Sequence, residues 1–254
     1  MDLQRVSVGI AAAIGAETAA RIAPAVEAAG FRGLWINETP GTDALEVAAA
    51  VARGTERLMI ATGVIPVDRR PPQELLDELS RLDLPGDRLV LGIGSGAART
   101  GVLPLMRGAI GQLRAADCAG IVVGALGPRM RRLAAEHSDG VVLNWLTPDA
   151  AADQSRAHHE LDPGGLVALY VRTAAEPEAV ARLEEEAGRY GRIPSYAANF
   201  DRLGFGPLDT TIGPGQAEER LAAYASAVDE VVLRAVVPDD DAASYLRFID
   251  ALAG

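Results

Sequence analysis

Short apolar runs rich in Val, Ile and Leu recur along the chain at Val6–Ala11, Leu34–Asn37, Leu58–Ile65, Leu89–Gly94, Gly120–Ala125, Gly140–Trp145, Leu166–Val171 and Val231–Val237. Near-continuous apolar runs of this length read as strands covered on both faces, the signature of a parallel sheet. Between them the spacing changes to a helical period. Thr18–Ala29 puts Ile22, Val26 and Ala29 on one face, and Asp43–Ala52 does the same with Leu45, Ala48, Ala49 and Ala52. Pro71–Leu84 and Pro128–His137 open on proline, which suits the first turn of a helix. Pro177–Arg189 carries the run Glu184-Glu185-Glu186, which reads as a solvated face, and Pro214–Val228 is a further helical stretch.

Eight strands alternating with helices over 254 residues give about 32 residues per unit, close to the ~250 residues of a (β/α)8 TIM barrel. An open doubly wound sheet is the competing architecture. Even spacing and the lack of a charged, blunted edge strand favour closure. The even spacing fails once, between Val171 and Val231, so residues 172–229 read as an insertion before the last strand. The whole of 1–254 is then one domain.

Composition narrows the chemistry. There are 24 Lys+Arg against 35 Asp+Glu, a net charge of −11, and all 24 cations are arginine. Without lysine, Schiff-base, pyridoxal-phosphate and Walker-type chemistry are excluded. The single cysteine, Cys118, excludes a disulfide framework, and the histidines His137, His158 and His159 offer little for a metal centre, so no metal site is expected. His137 falls on the face away from the chemistry, and His158-His159 reads as solvated. The acidic balance argues against nucleic-acid binding. The N-terminal stretch Met1-Asp2-Leu3-Gln4-Arg5 lacks the basic start of a signal peptide, and no window reaches the ~18 apolar residues of a spanning helix. A soluble cytoplasmic protein with no membrane partner is expected.

In a barrel the chemistry lies where the strands end. Strand two ends in Asn37-Glu38, where polar side chains serve either as helix caps or as substrate-facing groups. Gly92-Ile93-Gly94-Ser95-Gly96 is half a dinucleotide fingerprint; its third glycine is misplaced, leaving a tight strand exit or a close approach to a flat ligand. Gly124-Ala125-Leu126-Gly127-Pro128-Arg129-Met130 runs from strand to glycine turn to helix. It is either an ordinary βα turn or an anion site on free helix amides, with Arg129 adding charge. Asn144 is a polar strand end, and Trp145 is a stacking platform or a core residue of the rim. The pair Arg69-Arg70 reads as surface charge or as a contact for an anionic tail.

These stretches resemble the bacterial luciferase-like superfamily, specifically the branch that uses the deazaflavin coenzyme F420. The resemblance rests on Ala28-Ala29-Gly30-Phe31 with Leu34-Trp35-Ile36, and on Thr62-Gly63-Val64 with Arg70-Pro71-Pro72. It rests further on Asp87–Gly96, and most specifically on Gly124–Met130 followed by Ser138–Leu146. It covers Val6–Pro148 well and the remainder loosely. It implies a luciferase-like TIM barrel, usually dimeric, with F420 (or FMN) lying across the strand ends. It also implies a non-prolyl cis peptide joining Gly63 and Val64 behind the ring, with the cofactor phosphate on the amides around Gly124–Arg129. The implied cofactor contacts are Gly63, Val64, Gly94, Ser95, Gly124, Ala125, Leu126, Gly127, Pro128, Arg129, Asn144 and Trp145. The implied activity is hydride transfer to or from a small organic substrate, with Glu38 or Asn37 orienting or protonating it. Arg69, Arg70 and Arg99 are placed to meet the acidic tail of F420. Two departures stand out: the segment between Gly96 and Gly120 is short, and strand two ends without the histidine that some members carry. An FMN-dependent monooxygenase and a non-catalytic flavin-binding relative are the alternatives.

Overall fold

A computed structural model describes residues 3–253; Met1 and Asp2 of the N-terminal stretch read above lie outside the described residues. The strands are β1 (Val6–Ala11), β2 (Gly33–Asn37), β3 (Met59–Thr62), β4 (Ile65–Pro66), β5 (Leu89–Gly94), β6 (Gly120–Gly124), β7 (Gly140–Asn144), β8 (Leu166–Thr173) and β9 (Glu230–Ala235). All pairings between them are parallel, in the order β3-β2-β1-β9-β8-β7-β6-β5, and a β3–β5 pairing closes the ring. Val6 pairs with Val231, so the first and last strands are neighbours, as a barrel requires and an open sheet of sequential strands does not. The fold is therefore a (β/α)8 TIM barrel of eight strands with one short extra strand, β4, beside the end of β5. The run expected as a single strand over Leu58–Ile65 is broken at Gly63–Val64, where the backbone leaves the ladder and resumes as β4.

Alternation along each strand divides the molecule into two cores. Outward residues such as Val8, Ile10, Leu34, Ile36, Leu91, Ile93, Leu143, Leu169 and Leu233 pack beneath the helices. Inward residues, among them Trp35, Ala61, Val122, Val142, Ala168, Tyr170 and Val232, fill the barrel. Burial on both faces is why the strands read as unbroken apolar runs rather than alternating ones. At the N-terminal end of the barrel, Glu230 is buried but satisfied. It accepts hydrogen bonds from Ser7 Oγ and Trp35 Nε1, each at 2.6 Å, and from Arg32 Nε at 3.0 Å.

The seam where β3 meets β5 has its own device. Backbone pairing there covers Ile60↔Leu89 and Ala61↔Val90. One residue on, the Thr62 hydroxyl takes over: it donates to the Gly92 carbonyl and accepts from the Gly92 amide, both at 2.9 Å. A β-carbon on Gly92 would lie 1.9 Å from the Thr62 carbonyl oxygen, so only glycine allows this approach. Thr62→Val would keep the shape and orphan both backbone groups. At about 1–3 kcal/mol for each buried unsatisfied group, it is expected to lower unfolding stability by roughly 2–5 kcal/mol in a urea titration.

The helices are α1 (Gly15–Ala28), α2 (Ala44–Arg53), α3 (Pro72–Leu82), α4 (Val102–Leu113), α5 (Pro128–His137), α6 (Pro148–His159), α7 (Val180–Gly191), α8 (Pro194–Leu203), α9 (Ala217–Ala227) and α10 (Ala242–Ala253). The sequence reading did not anticipate α4, α6, α8 and α10. One consequence is a correction at His158, which is not solvated but buried. It belongs to the inner stripe Ala151, Gln154, Ser155, His158 of α6, a helical spacing that becomes visible only once the segment is known to be a helix. His159 is half-buried, with Nε2 3.0 Å from the Asp229 carboxylate. The segment between Gly96 and Gly120 holds α4, a regular barrel helix. Between β8 and β9 lie α7, α8 and α9, and α8 and the end of α7 reach over the C-terminal mouth. Among the described residues no helix is long and apolar enough to cross a membrane.

Candidate cofactor and substrate site

The last inward residue of each barrel strand except β1 lines the mouth, and the two halves of that mouth differ. After β3, β5 and β6 the positions are Gly63, Gly94 and Gly124; after β2, β7, β8 and β9 they are Asn37, Asn144, Arg172 and Arg234. Together they form the floor of a cleft of about 880 Å³. That falls within the ~300–1,000 Å³ typical of small-molecule sites.

The glycine half is shaped by close contacts. Gly63 and Val64 are joined by a cis peptide, the bond expected at this position. Asn37 Nδ2 donates to the Gly63 carbonyl at 2.7 Å and fixes the bulge. The Val64 side chain sits against the two neighbouring strands: a β-carbon on Gly94 would come within 2.6 Å of Val64 Cγ2, and one on Gly124 within 3.2 Å. On Gly63 it would fall 2.0 Å from the Tyr170 hydroxyl. Larger residues at these positions would fill the floor, so the glycines keep a broad, shallow surface behind which Val64 projects. Beyond β6, Ala125, Leu126 and Gly127 line the cleft and α5 begins at Pro128. Pro128 has no amide and the Met130 and Arg131 amides are taken by the Gly127 carbonyl, each at 3.1 Å, so of the first turn only the Arg129 amide, with those of Leu126 and Gly127 before it, is left for an anion.

Of the residues expected at a cofactor, the structure brings Gly63, Val64, Gly94, Ser95, Gly124, Ala125, Leu126, Gly127 and Asn144 to the cleft, together with Asn37 and Glu38. It does not bring three others. Pro128 and Arg129 are exposed on the first turn of α5, outside the lining. Trp145 is buried away from the cleft. After Asn144 the backbone enters the left-handed region at Trp145, with φ 56°, and the indole packs edge-on to Phe200 and beside Tyr190. Arg69 and Arg99 stand exposed on the rim, whereas Arg70 is buried beneath it.

Arg70 organises the carboxylates of this side. Its Nη1 lies 2.6 Å from Glu38 Oε2 and 3.1 Å from Asp43 Oδ1, its Nη2 bonds Glu78, and its Nε is 3.7 Å from Glu74. Glu38 also accepts from the Ala44 amide at 3.3 Å, and Asp43 caps α2 through the Leu45 and Glu46 amides at 2.9 and 3.2 Å. Glu38 thus bonds the first amide of α2 and also lines the cleft. Burial and a hydrogen bond shared with Asp43 push the Glu78 carboxyl up. Asp43 itself is brought below its usual value: burial opposes this, but the Glu78 hydrogen bond, the Arg70 charge and the helix amides outweigh it.

Residues from the far end of the chain complete the site, and sequence reading did not single them out. Tyr170, Arg172, Tyr190, Ile193, Tyr196 and Arg234 all line the cleft. Arg172 is buried, bonds Asn144 Oδ1 and Glu186 Oε1 (3.0 Å to the latter), and lies 4.2 Å above the Trp145 ring. Glu186 is thus not part of a solvated face: one helical turn from Leu183 and next to Ala187, it turns inward while Glu184 and Glu185 stay exposed. Burial would raise the Glu186 carboxyl, but the Arg172 charge and then that of Arg234 hold it below its ordinary value of 4.5. A depressed carboxyl means the folded state binds fewer protons there than the unfolded chain. Its stabilisation is therefore full above about pH 4.5 and fades as pH falls through the lowered value. Glu186→Gln is expected to flatten this part of the acid limb when urea midpoints are compared between about pH 3 and pH 6. Tyr170 meets Trp35 edge-on at 5.9 Å; its buried hydroxyl has no hydrogen-bond partner among the described residues, and burial pushes its pKa far above the ordinary phenol value.

The chain is thus a closed (β/α)8 barrel with a glycine-floored cleft at its C-terminal mouth, the end at which such barrels carry their sites. Residues 1–101, which carry β1 through β5, match the family model described as luciferase-like monooxygenase. No curated protein matches the chain by sequence. Among solved structures, the F420-dependent tetrahydromethanopterin reductase of Methanopyrus kandleri is similar, with a TM-score of 0.72 at 14% identity, covering 98% of this chain and 97% of that one. An F420-dependent secondary alcohol dehydrogenase gives 0.71 at 13% identity, covering 98% of each chain. The oxygenating constituent of 3,6-diketocamphane monooxygenase from Pseudomonas putida, solved with FMN, gives 0.71 at 14%, covering 97% of this chain and 96% of that one.

Proposed function

We propose that this chain is a luciferase-like oxidoreductase in which F420 lies across the mouth of the barrel and exchanges a hydride with a small organic substrate. The observation that carries the reading is the floor formed by Gly63, Gly94 and Gly124 around Val64, which suits a flat tricyclic ring. The cofactor phosphate is assigned to the free amides of Leu126, Gly127 and Arg129. When bound, the deazaflavin supplies the hydride chemistry, and the protein contributes orientation and electrostatics. Asn37 holds the bulge at its Gly63 carbonyl. Glu38, fixed by Arg70 and the Ala44 amide, orients polar groups of the substrate at the edge of the cleft. The aromatic side chains Tyr190 and Tyr196 cover the opening and reduce the access of water to it.

The test is absorbance and mass spectrometry of any cofactor retained on purification, followed by equilibrium titration with F420 and with FMN at matched ionic strength. F420 is expected to bind more tightly. FMN binding at least as tightly would replace this reading with that of an FMN-dependent monooxygenase. Binding of neither would remove the cofactor from the account and leave a non-catalytic relative.

A further inference from the structure

We infer that the β8–β9 side of the mouth is a subsite for the carboxylate of a small organic acid, with Arg234 as its principal ligand and Arg172 behind it. The inference deepens the proposed function by naming a substrate class, and it rests on that reading for which half of the cleft receives the cofactor.

Arg172 and Arg234 are register partners on adjacent strands, so both side chains emerge on the inner face at the same height. Arg172 is already engaged by Glu186 and Asn144. Arg234 is half-buried, and its one hydrogen bond is to the Ala235 carbonyl, its own neighbour in sequence. Of the carboxylates that line the adjoining pocket with it, Glu186 is committed to Arg172 and Asp240 to Arg182 at 2.6 Å, and the exposed Glu185 forms no ion pair with it. Among the described residues Arg234 forms no ion pair. Arg234 feels the Glu186 charge, but that carboxylate is hydrogen-bonded to Arg172, so a cleft-lining guanidinium keeps donors free and is a ready fork for an anion.

Three features favour a substrate carboxylate over the cofactor's own phosphate. The amides of α5 that suit the phosphate follow β6, three strands around the ring from β9. The glycine floor lies next to them, and the cationic floor lies beyond Asn144 on the other side. The wall above the two arginines is apolar and aromatic, formed by Tyr190, Ile193 and Tyr196, with Tyr190 edge-on to Tyr196 at 4.8 Å. A ligand seated there presents an anionic end to Arg234 and an apolar or aromatic body to the wall.

The experiment uses the purified full-length protein without added cofactor and follows benzoate by saturation-transfer NMR, with benzamide as the neutral isostere and inorganic phosphate as a second anion. Benzoate is expected to bind at least about tenfold more tightly than benzamide and to be displaced poorly by phosphate. Arg234→Gln is expected to weaken benzoate by about ten- to hundredfold, the loss of a charge-assisted contact. Arg21→Gln, at an exposed position of α1 outside the cleft, is expected to leave it nearly unchanged. Arg234→Lys should restore part of the binding. Equal binding of benzoate and benzamide by the unmodified protein overturns the proposal without recourse to any variant. So does phosphate displacing benzoate efficiently, or Arg234→Gln binding benzoate normally. Titration of Arg234→Gln with F420 and FMN separates the two readings: a cofactor affinity lowered as much as that for benzoate would give Arg234 to the cofactor and overturn the subsite. Benzoate binding of the expected kind with no affinity for either cofactor would leave the subsite standing and remove the proposed function instead.

Discussion

Replacing Arg70 by methionine is expected to destabilise the protein by about 3–5 kcal/mol, the largest effect of any single substitution considered for this fold. The size follows from what remains behind. Methionine fills the volume of the guanidinium stem but leaves Glu38 and Glu78, whose side chains are 3% and 15% exposed, beside Asp43 with no cation to compensate them. Glu38 would also keep only the Ala44 amide at 3.3 Å. The penalty should depend on pH with a definite sign. Without Arg70 the crowded carboxyls acquire folded-state pKa values above those of the unfolded chain. The folded variant then takes up more protons on acidification and recovers part of its stability as pH falls through those raised values. Urea unfolding of the two proteins at about pH 7 and again near pH 5 should show the gap narrowing at the lower pH. A gap that is small at neutral pH, or that widens on acidification, would show that the arginine is not the keystone of this cluster.

Gly127→Val is expected to weaken cofactor binding by about ten- to hundredfold while leaving the fold intact. A β-carbon at Gly127 meets no protein atom within 4 Å, and the backbone there is extended, with φ −95°, so valine fits without strain. Its methyl groups would instead crowd the cleft-lining turn whose free donors are the Leu126, Gly127 and Arg129 amides. A phosphate held there would lose its approach to those donors, for a loss of about ten- to hundredfold in affinity. The thermal midpoint and circular dichroism should remain those of the unmodified protein. Arg129→Ala, by contrast, alters an exposed residue outside the lining and is expected to change affinity by less than about threefold, in line with a screened surface charge. Equal affinities for F420 in Gly127→Val and the unmodified protein would move the phosphate site elsewhere in the cleft.

The covered relatives span nearly the whole chain at 13–14% identity, so the architecture is shared far beyond what side-chain identity preserves. That is consistent with what holds the barrel together. Its two cores require apolar residues of suitable size at alternating positions, a condition many sequences meet. The glycines at Gly63, Gly92, Gly94 and Gly124 are stricter, because each has another atom where a side chain would begin.

The barrel itself was legible in the residue pattern because burial on both faces writes long apolar runs into every strand, and the repeat of strand and helix counts them. The glycine half of the mouth was legible for the same reason of locality. Strand, glycine turn and helix start are adjacent in sequence at Gly124–Pro128, and Thr62-Gly63-Val64 falls at one strand end. What only the tertiary structure decided involves partners far apart along the chain. Glu38 meets Arg70 across 32 positions, and Arg172 meets Asn144 across 28. The inward turn of Glu186 depends on α7 lying over the mouth, and the burial of His158 depends on α6 being a helix at all. Arg234 reaches the cleft because β9 closes the ring against β1, bringing it beside Gly9, 225 positions earlier in the sequence. Local pattern fixes which face of an element is apolar; which charge is neutralised, and which is left facing the cleft, is settled only when distant elements pack.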